Sequence, residues 1–396
     1  MAVLISKHYL GTPRHFSYDG EEYSWSSSIT DDDWVFGQDH PHEIGSIARH
    51  LGFEFTGFES LPHARVLFEM CPKGTRIPWA KSIPRELFQK TLKNLVEQLW
   101  CVSNSPHISY YKDHLVSNRK TLESFKRASV DLSAIESISR SEKDYKAKEV
   151  LKFKPPSGDL APATRYSFLG SVTGRMTVVE GPNILTLKKS HREIFKSRYS
   201  HGAVVQVDIS SLEPRIALAL SNREAPEDIY THVREQVLSE SVSRSDAKIA
   251  VLSCIYGSNA WSLSKRLPAG INTHDVISKV KSYFDIPALS RSLQEESKQK
   301  GMIKNFYGRP VFSSDSLVNH YLQSTGVEVS FDVFRGVIKN LDKKNVDYAP
   351  IYVIHDAMVL DVSKEALLEL NNLSKEGILV EKLGCTFPVK VEHLKE

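Results

Sequence analysis

Residues 203–215 read Ala-Val-Val-Gln-Val-Asp-Ile-Ser-Ser-Leu-Glu-Pro-Arg. Ala203 to Val207 is a short apolar run of strand type, and Asp208 ends it. Ser210 opens a helical stretch, Leu212–Leu220, with Pro214 in its first turn, where the missing N–H is tolerated. A second acid stands in a like position. Ile351–Ile354 and Met358–Val362 read as the two strands of a hairpin, with His355-Asp356-Ala357 between them. Two acids brought together on adjacent strands cannot both ionise cheaply without a cation. With Mg²⁺ they become ligands, as in two-metal phosphoryl transfer, where ions about 3.5–4 Å apart clamp the attacking and leaving oxygens. Aspartate is also a common strand terminator, so the pair alone leaves a plain structural reading open.

Further along, Arg244, Lys248, Leu252 and Tyr256 are spaced by four, inside a helical pattern over Ser245–Leu267 that stops at Pro268. Residues i and i+4 share a helix face. Two stacked cations suit a triphosphate, and the aromatic ring suits a base or sugar. The alternative is a solvated basic stripe running into core, which the Tyr256-Gly257 pair fits less well. A last strand is expected at Phe387–Val391. Upstream, Leu87, Thr91, Leu92, Leu95 and Leu99 mark a helix from Arg85. A second helical stretch, Lys112–Ala128, carries a basic face of Lys112, Arg119, Lys120, Lys126 and Arg127. Pro155-Pro156-Ser157-Gly158 reads as a boundary. The first 80 residues read as irregular, with Asp31-Asp32-Asp33 a helix start or solvated turn. The whole reads as α+β, with an antiparallel sheet carrying both aspartates.

The chain has 396 residues, 41% hydrophobic and 25% charged, enough for a sizeable core and against a disordered chain. No apolar stretch approaches about 18 residues, and no signal peptide is recognisable, so a cytoplasmic protein with no membrane partner is expected. Four widely spaced cysteines without a Cys-x-x-Cys pair argue against structural zinc and a disulfide framework. The net charge of +3 hides a separation: residues 1–60 hold three Lys/Arg against ten Asp/Glu, and residues 143–200 hold twelve against five. A local basic zone points to a polyanion partner better than the average does.

The motifs together resemble the polymerase domain of the family A DNA polymerases (DNA polymerase I-like), in a compact, exonuclease-less form. Asp208-Ile209-Ser210-Ser211-Leu212-Glu213-Pro214-Arg215 resembles that family's motif A. Arg244-Ser245-Asp246-Ala247-Lys248, followed by Tyr256-Gly257, resembles motif B, and Ile354-His355-Asp356 resembles motif C. Thr173-Gly174-Arg175, followed by Pro182-Asn183, resembles the segment on the primer–template minor groove. Asn319, Gln323 and Thr325 resemble the template-contacting helix. The five segments occur in the family's order.

The resemblance implies a right-hand polymerase fold: residues 1–80 an acidic region of unknown role, 81–165 a thumb, 166–222 and 311–396 the palm, 223–310 the fingers. It implies extension of a primer on template DNA with dNTPs, using two Mg²⁺ ions, with Mn²⁺ as an alternative. Asp208 and Asp356 would hold the metals, with the Ile209 carbonyl. Arg244 and Lys248 would hold the triphosphate, with Lys248 also protonating the leaving pyrophosphate. Leu252 and Tyr256 would face the incoming nucleotide, and Glu213 would fill the space of a ribose 2′-OH. Arg175, Thr173, Asn183, Asn319, Gln323, Arg215 and His355 would contact DNA. Leu252 stands where the family usually has Phe or Tyr, Ser253 where it has Gly, and Ala357 where it commonly has Glu; Pro214 is also unusual. An error-tolerant enzyme without proofreading is expected, in a bacterial, phage or plasmid setting. A non-catalytic nucleic-acid-binding relic and a polymerase with relaxed, RNA polymerase-like sugar choice are the alternatives. Accessory proteins, and replication versus repair, are left open.

Overall fold

The structure is a computed structural model that describes residues 1–37, 40–58, 61–72, 77–141, 145–238 and 242–395. They form two compact units, Met1–Lys120 and Thr121–Glu396. The division falls inside the segment 81–165 that the sequence groups as one region.

The first unit is not irregular, as its sequence suggested. β1 (Val3–Ile5) pairs antiparallel with β2 (His15–Tyr18) and parallel with β4 (Trp34–Phe36). β3 (Tyr23–Ser26) adds an edge, giving the order β3-β2-β1-β4. These strands are three or four residues long, and β1 and β4 are buried throughout, so no alternation could show. The helix Arg85–Ser103 buries Phe88, Thr91, Leu92, Leu95, Val96 and Leu99. Phe88 rather than Leu87 therefore belongs to its core stripe.

The next helical stretch opens on a wide turn, Tyr111–Leu115, and continues as Val116–Glu123, stopping short of Ala128. Beyond it the backbone turns extended, and Ser129 and Val130 bridge to Leu160 and Phe195. The basic face of this stretch meets the acidic segment of its own unit. Lys112 lies 3.6 Å from Asp32, Lys120 lies 3.4 Å from Asp31, and Arg119 donates to the Pro41 and Glu43 carbonyls. Asp33 accepts from the Ala2 amide at 2.8 Å and from the Thr30 hydroxyl at 2.7 Å. Asp33 therefore closes a turn, while Asp31 and Asp32 face lysines.

The second unit carries a hairpin of β5 (Arg165–Ser167) and β6 (Thr177–Glu180), then β7 (Ala203–Ile209). Short β8 (Ile303–Lys304) and β9 (Pro310–Val311) come next, then β10 (Tyr348–Ile354) and β11 (Ala357–Val362). The chain ends on β12 (Ile378–Val380), β13 (Cys385–Phe387) and β14 (Val389–His393). Its main sheet has the order β10-β11-β7-β14, every neighbour antiparallel. The α+β reading and the antiparallel sheet are borne out. The last strand divides at Pro388, which has no N–H for a ladder: β13 pairs with β12, and β14 with β7.

One face of this sheet is sealed by core. Val204, Tyr352, Ile354 and Val359 cluster with Ile135, Ile138, Val150, Phe153 and Phe195. The 27-residue helix Leu317–Lys343 buries Val327, Phe331 and Phe334, and the Phe331 ring meets Phe168 edge-on at 5.2 Å. The helix expected over 245–267 is two, Arg244–Ile255 and Ala260–Ser264. Gly257 at φ +77° breaks it, in a backbone region glycine enters without steric cost. No helix among the described residues is long and apolar enough to cross a membrane.

Candidate active site

Register sets the site. On β7, Asp208 stands opposite Ala357 of β11 and opposite Lys390 of β14. Asp356 precedes Ala357 in a two-residue turn, since Ile354 and Ala357 are themselves paired. The sequence placed Ala357 in the turn; it begins the strand. His355 occupies that turn at φ +52°, a left-handed conformation that costs a side-chain-bearing residue roughly 1–2 kcal/mol. His355→Gly should relieve more strain than it adds in chain entropy. A gain of about 0.5–1 kcal/mol is expected, read as a higher urea midpoint.

The carboxylates raise one another's cost of ionisation. Burial pushes the Asp356 pKa above the usual carboxylate range, and the Asp208 charge adds to this while Arg175 opposes it. Burial also lifts Asp208, with Glu392 adding and Lys248 and Lys390 opposing. Such a pair invites a divalent cation. Among the described residues no group of three or more His, Cys, Asp or Glu is gathered to hold a metal. Two carboxylates fit Mg²⁺ nonetheless, because that ion is usually bound by one or two carboxylates plus substrate phosphates. Ile209 follows Asp208 and ends β7.

Glu213 sits in the first turn of the helix Leu212–Leu220, its side chain only 8% exposed. Arg175 Nη2 lies 3.1 Å from Glu213 Oε1 and 3.8 Å from Asp356 Oδ2. The Tyr256 hydroxyl donates to the same Glu213 Oε1 at 3.3 Å. Burial, then the Asp356 charge, raises the Glu213 pKa, and burial beside Glu213 pushes Tyr256 up to about 12. Motif A, motif B, motif C and the Thr173-Gly174-Arg175 turn thus converge on one carboxylate-rich spot.

That turn is held from below. Arg309 is fully buried and donates to the Phe168 carbonyl at 2.8 Å. A Cβ on Gly174, at φ +79°, would stand 2.5 Å from the Arg309 guanidinium carbon. Gly174→Ala is expected to cost about 2 kcal/mol and to weaken primer–template binding by displacing Arg175. Urea titration and an equilibrium binding curve measure the two effects.

On the helix Arg244–Ile255, capped by the Ser243 hydroxyl, Arg244 and Lys248 are exposed and Leu252 is half-buried. Asp228 accepts from Arg244 Nε at 2.6 Å and from Nη2 at 3.2 Å. Burial works against its charge, yet the bonds from Arg244 and Thr231 outweigh this and bring its pKa down to about 2. Tyr230, two residues on, is buried with both cations over its ring. Sequence reasoning missed both residues. Asp228 reads only as the cap of the helix Ile229–His232, and nothing in the sequence signals its cation partner.

The remaining expected DNA contacts are scattered. Gln323 donates to Asn319 at 2.6 Å, and both are half-buried on the long helix with Thr325 buried beyond them. Asn183 accepts from the Leu185 amide, and His355 is exposed. Thr173 is buried. Arg215 is buried, and its guanidinium donates to the Ser210 carbonyl at 3.1 Å and the Glu227 carbonyl at 2.6 Å. It ties motif A to the Asp228 turn.

In the basic zone, Lys152, Lys154, Arg165, Arg175, Lys196 and Arg198 all have carboxylate partners. Pairs exposed to water are weak, so phosphates can compete for most of them. Lys143 and Asp144 of this zone, and Asp39 and Glu59 of the acidic one, lie outside the described residues.

Two carboxylates at neighbouring strand ends and a helix that presents two cations make up the candidate site. The comparisons make it particular. The model of DNA polymerase family A matches residues 89–394, and the chain belongs to that family. Over 239 residues it is 25% identical to DNA polymerase I of Aquifex aeolicus (strain VF5), covering 54% of this chain and 41% of the relative. Over 268 residues it is 23% identical to DNA polymerase I of Lactococcus lactis subsp. lactis (strain IL1403), covering 58% and 30%. The matches thus span less than half the length of these curated relatives. Among solved structures, the POL domain of Pol1 from M. smegmatis, in complex with DNA primer-template and dNTP, aligns with a TM-score of 0.59 at 15% identity. The alignment covers 90% of this chain and 80% of that one, and it shows the shared right-hand polymerase fold.

Proposed function

We propose that this chain extends a primer 3′ end on a DNA template with dNTPs, by two-metal nucleotidyl transfer. The observation that carries this reading is the register that sets Asp208 of β7 opposite Ala357 of β11, next to Asp356 in the turn, with Arg244 and Lys248 on the helix that also delivers Tyr256. A relic that only binds nucleic acid needs neither carboxylate. When bound, Mg²⁺ supplies charge neutralisation at the attacking and leaving oxygens. Asp208 and Asp356, with the Ile209 carbonyl, would hold it. Arg244 and Lys248 bind the triphosphate, and Lys248 gives its ammonium proton to the departing pyrophosphate. Arg175 reads pair shape from the minor groove, where acceptors are alike across base pairs. Positioning and electrostatics supply most of the acceleration, as in phosphoryl transfer generally.

In this reading residues 166–222 and 311–396 form the palm, 223–310 the fingers and 81–165 the thumb. The reading includes no proofreading; in the N-terminal sheet region Asp31 and Asp32 lie against lysines and Asp33 accepts from the Ala2 amide. Leu252, half-buried below the two cations, cannot stack on a sugar or base as an aromatic would, which supports error tolerance. The test is extension of a labelled primer with four dNTPs against four rNTPs, in Mg²⁺ and in Mn²⁺. Extension with dNTPs supports the reading, and extension with neither set refutes it.

A further inference from the structure

Tyr230 is 6% exposed, in the short helix Ile229–His232. Its ring centroid lies 5.5 Å from the Arg244 guanidinium carbon and 5.7 Å from Lys248 Nζ. Both distances fall within the range of a cation–π contact. One ring therefore serves both cations of this helix.

The physical consequence concerns order. Arg and Lys side chains one helical turn apart, exposed to water, carry large rotamer freedom and repel one another. A shared ring lowers both costs before a ligand arrives, which is how preorganisation strengthens binding. Asp228 completes the cradle by taking the Nε–Nη2 edge of Arg244. Nη1 is left for a phosphate. Arg215, bonded to the Glu227 carbonyl, fixes the turn that carries Asp228 and Tyr230.

We propose that Tyr230 is a positioning residue that sets Arg244 and Lys248 for the triphosphate of the incoming nucleotide. This rests on the reading of the site as a polymerase site. The test compares the full chain with Tyr230→Phe, which keeps the ring, and Tyr230→Leu, which removes it; Tyr230→Met replaces Tyr230→Leu should the latter not fold. Inorganic tripolyphosphate is titrated by calorimetry, and nucleotide KM and kcat are measured on a primed template.

Tyr230→Leu is expected to bind tripolyphosphate about tenfold more weakly and to raise nucleotide KM by a similar factor, with kcat within about threefold. Tyr230→Phe should keep tripolyphosphate affinity within about twofold, and neither variant should change primer–template affinity. Unchanged tripolyphosphate affinity in a folded Tyr230→Leu protein overturns the inference, as does an equal loss in Tyr230→Phe. If the wild type extends primers and Tyr230→Leu is unaffected, the inference fails and the polymerase reading stands. If the wild type binds tripolyphosphate through Tyr230 but extends no primer, the polymerase reading fails instead.

Discussion

Asp208→Asn and Asp356→Asn are each expected to lower single-turnover nucleotide addition by about 1,000-fold or more while leaving primer–template affinity within a few-fold. Each removes, at nearly constant volume, a carboxylate charge that in the proposed reading would hold the cation neutralising the attacking and leaving oxygens. The same variants should melt at a higher temperature than the wild type without added metal. The sign comes from the raised pKa of both groups. A carboxyl whose folded pKa lies above its unfolded value is more protonated when folded. Its ionisation then lowers stability as pH climbs from the unfolded pKa through the folded one. Above that window the cost is constant, and an amide removes it. Added Mg²⁺ should raise the melting temperature of the wild type by binding the folded form, and should do so far less in either variant. Thermal scans at pH 7.5 with and without Mg²⁺ read all of these differences.

The second large effect is at Glu213. Its carboxylate is buried and fixed by Arg175 at 3.1 Å and by the Tyr256 hydroxyl at 3.3 Å, so it cannot swing aside at little cost. In the proposed reading this rigid, buried side chain would stand beside the sugar and exclude a hydroxyl by clash and by desolvation. Glu213→Ala is expected to shift the ratio of kcat/KM for dNTP over rNTP by about 100-fold toward ribonucleotides. Tyr256 and Arg175 lose a common acceptor in that variant, so efficiency with dNTPs should also fall, by about tenfold. Competition between one dNTP and the matching rNTP on the same template measures the ratio. An unchanged ratio contradicts the assignment and leaves the metal site untouched.

The two aspartates were legible because each ends an apolar run, and a rigid strand fixes the place of the residue at its end. The four-residue spacing of Arg244, Lys248 and Tyr256 was legible because one helix imposes it, and all three lie on the helix Arg244–Ile255 or at its end. Where structure depends on partners remote in sequence, the sequence was silent. Arg215 has the look of a phosphate ligand, yet two backbone carbonyls claim it. Asp228 and Tyr230 matter because Arg244 reaches them across sixteen and fourteen residues, contacts no local pattern encodes. The N-terminal sheet was missed because its strands are too short for a period. The basic face at Lys112 and Lys120 looked open, and the acidic turn at Asp31 and Asp32 meets it.

The central claim is that this site joins a nucleotide to a primer under the direction of a template base. Single-nucleotide insertion tests it most directly. Four primed templates differ only in the first unpaired base, and each is offered one dNTP at a time with Mg²⁺. The expected result is addition of the complementary dNTP on each template, lost in Asp208→Asn. No addition by the intact protein, or addition that ignores the template base, contradicts it.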